Sequence, residues 1–592
     1  MVTVAITAAV TTSPDHGEAN NFELASKSTD RWVQETLRGM SLEEKVGQLF
    51  VADTWGSSPD QADDGNIKHY GVSTPADVVK KYHLGGVIYI NSGTIANPKQ
   101  VAHLSNGLQT AAVTSGAKIP LLISADQEYG TVVRIGPPAT QFPGAMALGA
   151  TGRPDLARKA AEISGRELNA MGVNQNDAPD ADVNINPANP VIGLRSFSSD
   201  PRWAAKMVSA QVKGFQSAHG GRTVAVAKHF PGHGDTDVDS HTDVPVVNHT
   251  KKEWEKLDAP PFRAAIKSGV DTIMTGHLVM PKIDPSGTPA TLSTKLLTGL
   301  LRGELGYNGV VETDALNMAG VRKKYGDDKV PVMALKAGAD ELLMPPNMDV
   351  AYQAVLKAVK SGELTEHRID QSVTRILRMK KNHGITVNPM VDEGKVDRVV
   401  GTATNLEQAQ AITNRTTTLI KNGSRQVPIR NKTGKMLVAG ASTGARNAFT
   451  EEAKKRHTQA VPLDIDDGRP VGDVIKQAVQ GVSDNDLTVV LTQDATTDPN
   501  KRQQQVVEAM LDASRKAGKP IIVVGVGKPY DISMFPDAPV YLNTYSRTPV
   551  AMSALANVLY GEVRPSGKLP VSIPSADGSG KILYRAGYGL TH

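Results

Sequence analysis

The chain has 592 residues, 40% hydrophobic and 21% charged, with no cysteine and a formal charge of +4. That length exceeds what one hydrophobic core organises, so two large domains are expected, and the composition is that of a folded globular protein. The absence of cysteine excludes disulfides, thiolate catalysis and cysteine-ligated metal. The small, evenly spread charge, without a basic run or interleaved aromatics, gives no reason to expect a nucleic-acid partner.

The opening MVTVAITAAVTTSPDHGEANN joins a short Ala/Val/Thr run to a polar stretch. It lacks the leading Lys or Arg of a complete secretory signal. Residues 1–28 therefore read as a flexible segment: either the remnant of an export signal plus spacer, placing the protein outside the cell or at its surface, or a cytoplasmic tail. No uninterrupted apolar stretch reaches the roughly 20 residues that cross a bilayer. From 29 to 385 a short apolar run ending in polar residues alternates with a longer segment of helical period. The runs are GQLFVAD (47–53), GGVIYIN (85–91), PLLISADQE (120–128), GVNQNDAPDADVN (172–184), VAVAKHF (224–230), DTIMTGH (271–277), GVVETD (309–314) and ADELLMP (339–345). The fourth, rich in Pro and Asp, is the weakest strand. Eight strand-plus-helix units of this size predict a (β/α)8 barrel, an α/β fold whose active site lies at the carboxyl ends of the strands. The polar residues ending the runs, Asp126, Asp182, Lys228, His229, His277 and Asp314, are then expected around one pocket.

The pattern loosens over 386–404, read as a linker. From 405 to 592 near-continuous Val, Ile and Leu runs return at 435–441, 486–492, 519–527 and 539–545, separated by helical segments. Such runs suit strands covered on both faces, so the second domain is expected to be an open α/β sandwich. GVGKPYD within it lacks the spacing of a phosphate-binding loop.

Residues 229–241, HFPGHGDTDVDSH, concentrate three histidines and three aspartates after the fifth strand. Asp239 and His241 are two apart, so an extended backbone would place them on one face. A carboxylate beside an imidazole fixes its tautomer and favours its charged form, making an acid/base pair. Lys228 and His229 alternate to opposite faces unless the strand bends at Phe-Pro-Gly. His229, His233, Asp235 and His241 are acceptable zinc ligands, but their spacing matches no compact ligand motif. Neither metal nor cofactor is expected. His233, Asp235 and Asp237 individually read as structural.

KHFPGHGDTDVDSH resembles the signature of family 3 glycoside hydrolases, in the β-N-acetylhexosaminidase branch. ADQE with Arg134 eight residues after Asp126, DVNINPANPVIGLRSF (182–197), MTGHLVMP, LGYNGVVETDAL, GADELLMP and RPSGKLPVSIP (564–574) agree in order, so the resemblance spans nearly the whole chain. It implies a retaining double displacement, with Asp314 as nucleophile, His241 as proton donor and Asp239 as its orienting partner. Asp126, Arg134, Arg195, Lys228 and His229 match residues that hydrogen-bond the sugar. The implied activity is exo-β-N-acetylglucosaminidase, acting on oligosaccharides with a terminal β-GlcNAc derived from muropeptides or chitin. Phosphorolysis at the same site, non-catalytic sugar binding and β-glucosidase activity are the alternatives. One departure stands out: Tyr129, Gly130 and Thr131 follow the DQE triplet, where the family usually has Gly-Gly-Arg.

Overall fold

The computed structural model of the chain describes residues 16–91, 93–217 and 222–591. Eight parallel strands, β1 (Phe50–Asp53), β2 (Gly86–Ile88), β3 (Leu122–Ala125), β4 (Gln175–Asn176), β5 (Val224–Phe230), β6 (Thr272–Thr275), β7 (Val310–Glu312) and β8 (Leu342–Leu343), pair in the order β7-β6-β5-β4-β3-β2-β1-β8. A parallel bridge between Glu312 and Glu341 joins the two ends of this order. Every run anticipated as a barrel strand contains one. β5 is buried along its whole length, as a strand with barrel lumen on one side and helices on the other must be. The Pro- and Asp-rich fourth run yields only two residues of regular strand before Pro179 and the loop beyond it.

The intervening helices carry their own start signals. The helix Pro201–Phe215 opens on Pro, and Asp200 accepts the backbone N–H groups of Arg202 and Trp203, which satisfies donors that a helix leaves unpaired. The helix His16–Gly39 begins inside the stretch read as a flexible lead-in. Its later part is tied to the helix Glu366–Asn382 by Asp30 and Arg378 (2.8 Å) and by Lys381 over the Trp32 ring. Residues 1–15 lie outside the described residues.

The stretch expected to be a linker is lashed to the barrel. Asn106 exchanges side-chain hydrogen bonds with both backbone groups of Val391 (2.8 and 2.9 Å). Buried Glu167 accepts from Gly401 N (3.0 Å) and Asn405 Nδ2 (2.7 Å).

Beyond it, β9 (Thr418–Asn422), β10 (Lys435–Gly440), β11 (Gln459–Asp464), β12 (Leu487–Thr492), β13 (Ile521–Gly525) and β14 (Val540–Asn543) form a six-stranded sheet in the order β11-β10-β12-β13-β14-β9. All neighbours are parallel except β14 and β9. β10, β12, β13 and β14 match the four apolar runs. The two remaining strands are the sheet's edges. β11 carries Pro462 and alternates exposed with buried residues, and β9 ends in half-exposed Lys421 and Asn422, so neither reads as a continuous apolar run.

The second unit rests on the first. Met146, Ala147 and Ala150 of the barrel pack into the core beside the sheet. Ser198 Oγ and Ser199 N donate to Pro570 O (2.6 and 3.2 Å), and Asn184 Nδ2 donates to Tyr530 Oη (2.8 Å). These contacts turn the carboxyl ends of β12, β13 and β14 toward the barrel mouth.

Candidate active site

A cavity of about 620 Å³ opens at the carboxyl ends of the barrel strands. Its apolar floor includes Ile88, Met274 and Leu343, one residue each from β2, β6 and β8, which pack with Val51 and Val226 across the barrel lumen. Asp126, Arg134, Arg195, Lys228, His229, His241 and Asp314 all line it. Asp239 stands behind His241.

On one side the charges are interlocked. Lys228 Nζ donates to Asp126 Oδ1 (2.7 Å) and lies 2.8 Å from Glu128 Oε1. Arg134 Nη2 reaches the other oxygen of Asp126 (3.1 Å). Arg195 grips Glu128 through Nε and Nη2 (2.8 and 2.9 Å), and Nη2 also approaches His229 Nε2 (3.3 Å). Lys228 and Glu128 are almost wholly buried, and burial alone would drive both toward neutrality. The opposite charges outweigh it: Arg195 and Lys228 hold Glu128 below the carboxylate range, and Asp126 and Glu128 hold Lys228 above the usual amine range. The result is a fixed lattice of charged donors and acceptors suited to sugar hydroxyls. The Lys228–His229 peptide is cis and both side chains line the cavity, whereas plain strand alternation would have separated them.

Glu128 escaped the sequence reading although it lies two residues past Asp126, the spacing that returns a strand to the same face. Tyr129 and Gly130 both adopt left-handed backbone conformations (φ 67° and 69°). Tyr129 accommodates this by burying its ring edge-on to Phe142 and donating its hydroxyl to Ser164 Oγ (2.9 Å). It points away from the cavity, which Gly130 and Thr131 line instead.

His229 is backed by two carboxylates. Its Nδ1–H donates to Asp182 Oδ2 (2.7 Å), and Asp180 Oδ2 lies 3.9 Å away. Asp180, Asp182 and His229 are the group among the described residues whose ligating atoms fall within 4.8 Å of one another. Asp182 is nevertheless occupied by the His229 ring and by His233 N (2.6 Å), and Arg195 Nε lies 3.8 Å from Asp180 Oδ2. A bound cation would face that guanidinium.

Asp314 follows β7. Its N–H bonds Thr275 O (3.2 Å) and its Oδ1 accepts from Ala315 N (2.7 Å). Burial pushes this carboxyl up, but His277, His229, the Ala315 N–H and His241 overcome that and hold it below the ordinary value. His277 does not line the cavity; it donates from Nε2 to Ala315 O (3.0 Å) and so fixes the turn that carries Asp314.

The pair expected on an extended strand sits instead in a turn. Asp239 O accepts the N–H groups of Thr242 and Asp243, while Asp239 Oδ1 takes His241 N (2.9 Å) and His241 Nδ1 (2.6 Å). With Nδ1–H committed to Asp239, Nε2 is the ring atom free to exchange a proton. His241 is 59% exposed, so this pair adds little to stability. The three residues read as structural are placed as follows: His233 bonds Thr236 and Ser240 within the loop and its edge reaches the cavity, Asp235 pairs with His249 (2.8 Å), and Asp237 lies outside the cavity lining.

The second domain closes the mouth with Asp494, Val526, Gly527, Lys528, Tyr545, Ser546 and Arg547. These follow β12, β13 and β14. Ligands of open α/β sheets gather at the carboxyl ends of parallel strands, a rule that could have singled out GVGKPYD and its Lys528 from the sequence.

Residues 41–379 match the glycosyl hydrolase family 3 N terminal domain, and residues 417–592 match the glycosyl hydrolase family 3 C-terminal domain. The chain belongs to glycosyl hydrolase family 3. This family 3 hydrolase is 33% identical over 522 residues to beta-hexosaminidase A of Pseudoalteromonas piscicida, covering 84% of this chain and 81% of that one. It is 30% identical over 573 residues to a beta-N-acetylglucosaminidase/beta-glucosidase of Cellulomonas fimi, covering 91% and 95%. Among solved structures, a family 3 beta-N-acetylglucosaminidase from Paenibacillus sp. str. FPU-7 superposes with a TM-score of 0.80 at 36% identity, covering 90% of this chain and 98% of that one. The protein is therefore a glycoside hydrolase of the β-hexosaminidase kind, acting on a glycoside.

Proposed function

We propose that this hydrolase is a retaining exo-β-N-acetylglucosaminidase that removes terminal β-GlcNAc from oligosaccharides derived from peptidoglycan or chitin. The observation that carries the reading is that an ionised, backbone-anchored Asp314 and a His241 with its free Nε2 line one cavity. Asp314 attacks the anomeric carbon as the glycosidic bond breaks, and His241 Nε2–H protonates the departing oxygen. The neutral imidazole then takes a proton from a water molecule, which attacks the anomeric carbon and returns the Asp314 carboxylate. Asp239 stays ionised throughout and stabilises the charged imidazole. The interlocked Asp126, Glu128, Lys228 and Arg195 hold the sugar hydroxyls.

A second reading rests on Asp494, a carboxylate that the second domain places on the cavity wall. In it Asp494, not His241, gives the proton, as in a β-glucosidase-type arrangement. The deciding experiment compares p-nitrophenyl β-GlcNAc, p-nitrophenyl β-glucoside and a poor-leaving-group β-GlcNAc disaccharide in wild type and in Asp314→Ala, His241→Ala and Asp494→Asn. Asp314→Ala is expected to lose about 10³-fold or more on every substrate. His241→Ala should lose about 10²-fold on the disaccharide and much less on the activated p-nitrophenyl glycoside. Equal losses on good and poor leaving groups remove His241 as donor, and that contrast appearing in Asp494→Asn instead establishes the second reading.

A further inference from the structure

The cations around the cavity are not equivalent. On the barrel side every cation has a carboxylate partner: Arg134 meets Asp126 through Nη2 alone, Arg195 grips Glu128, and Lys228 meets both. On the second-domain side Asp494 Oδ1 accepts the backbone N–H of Lys528 (3.0 Å), and Lys528 Nζ donates to the Asn189 carbonyl (3.1 Å). Arg547 lines the cavity, is exposed, and forms no hydrogen bond or ion pair with any described residue. It is the cavity's one guanidinium, among the described residues, without a carboxylate partner. The turn that presents it is nonetheless firmly built. Tyr545 has φ 56° and is buried, with its hydroxyl on Thr418 Oγ1 (2.6 Å). Thr544 Oγ1 donates to Ser546 O (2.7 Å), and Ser546 Oγ bonds Thr548 Oγ1 (3.0 Å).

We infer that the second domain supplies an oxyanion subsite at the cavity mouth, in which Arg547 contacts the anion and Lys528 adds positive potential behind it. This rests on the proposed function and names what the same cavity takes beyond the terminal sugar. A planar guanidinium with all its donors free matches a two-oxygen face of a carboxylate or phosphate, whereas the ion-paired barrel side matches neutral hydroxyls. A cavity of about 620 Å³ has room for such a group beside the sugar. The anion has two possible sources. One is a carboxylate on the leaving group. The other is inorganic phosphate entering in place of water: a phosphate oxygen attacks the anomeric carbon of the glycosyl-Asp314 ester, the C–O bond to Asp314 breaks, the carboxylate leaves with the electron pair, and the phosphate's proton passes to His241.

The test uses the full chain and Arg547→Gln, with Arg547→Lys as the charge-conserving control. One arm measures kcat/KM for β-GlcNAc linked to a carboxylate-bearing sugar and for the methyl ester of the same disaccharide. The other follows p-nitrophenyl β-GlcNAc with and without inorganic phosphate and measures the share of product released as sugar 1-phosphate. For a leaving-group carboxylate, the ratio of acid to ester is expected to fall about tenfold in Arg547→Gln and to recover in part in Arg547→Lys. For phosphate, the sugar 1-phosphate share falls instead. If neither the ratio nor the share moves, the subsite does not exist. Wild-type turnover of p-nitrophenyl β-GlcNAc separates that result from failure of the proposed function itself.

Discussion

Glu128 shows how one side chain can organise a site without a reacting atom. It is shared by Lys228 and Arg195, which come from β5 and from the loop after β4, so it ties two separate segments of the cavity wall into one geometry. Removing one member of a buried charge network leaves its partners desolvated and unbalanced. Glu128→Gln keeps the shape but deletes the charge, so Arg195 falls back toward Asp180 and Lys228 toward Asp126 alone. We expect about 3 kcal/mol less stability in urea titrations and a KM for p-nitrophenyl β-GlcNAc raised about tenfold, with a smaller change in kcat. A kcat loss with KM unchanged would show that Glu128 acts on the reaction step instead.

At the scale of the element, the loop after β5 is held at both its ends. Gly234 sits where an added Cβ would lie 1.7 Å from Val183 O, so only glycine lets the loop pass this close to the loop after β4. His249 clamps the far end, between Asp235 Oδ2 (2.8 Å) and Asp258 Oδ2 (2.6 Å). Hydrogen bonds to Asp235 and Asp258 raise this imidazole from 6.5 to about 10, against the opposing effect of burial. Because the folded value lies above the ordinary one, its contribution to stability is full below pH 6.5 and is lost as pH rises through about 10. His249→Ala should therefore melt below wild type at pH 6, with a gap that closes toward pH 10. A gap independent of pH in scanning calorimetry would mean that His249 acts by packing alone.

The whole barrel carries a less ordinary feature beneath the site. Asp177, Glu312 and Glu341 are fully buried, and each keeps at least one oxygen without a hydrogen-bond partner. Gln175 Nε2 spans Asp177 Oδ1 (3.1 Å) and Glu312 Oε2 (3.2 Å). Burial, reinforced by Asp126, lifts Asp177 to about 7; burial lifts Glu341 to about 8 despite Lys380; and burial, with Asp177 and Glu341, raises Glu312 well above the ordinary carboxyl value. The unfolded chain releases these protons first, so the fold loses stability as pH climbs from the ordinary carboxyl range to about 8. Glu312→Gln should raise the melting temperature, and by more at pH 8 than at pH 5. An equal change at both values would show that the acid is ionised in the fold.

The alternation of apolar runs with helical segments was enough to predict both domains, because strands covered on two faces must be apolar throughout and amphipathic helices must cover them. It failed at β9 and β11, since edge strands are half solvated and carry no such signature. The loop HFPGHGDTDVDSH and the strand-end residues Asp126, Lys228, His229 and Asp314 point to the candidate site because chemistry at a barrel rim needs polar groups where the apolar runs stop, whereas Asp182 and His277 lie behind the cavity wall. Asp239 and His241 were legible as a pair through their proximity in sequence, although a turn and not a strand joins them. What the linear order could not disclose is any relation set by packing between distant segments. The grip of Arg195 on Glu128, the turning of Tyr129 into the core, and the seating of Arg547 against a cavity built by another domain all depend on which strand ends face one another. That is decided only when the barrel closes and the second sheet docks on its mouth.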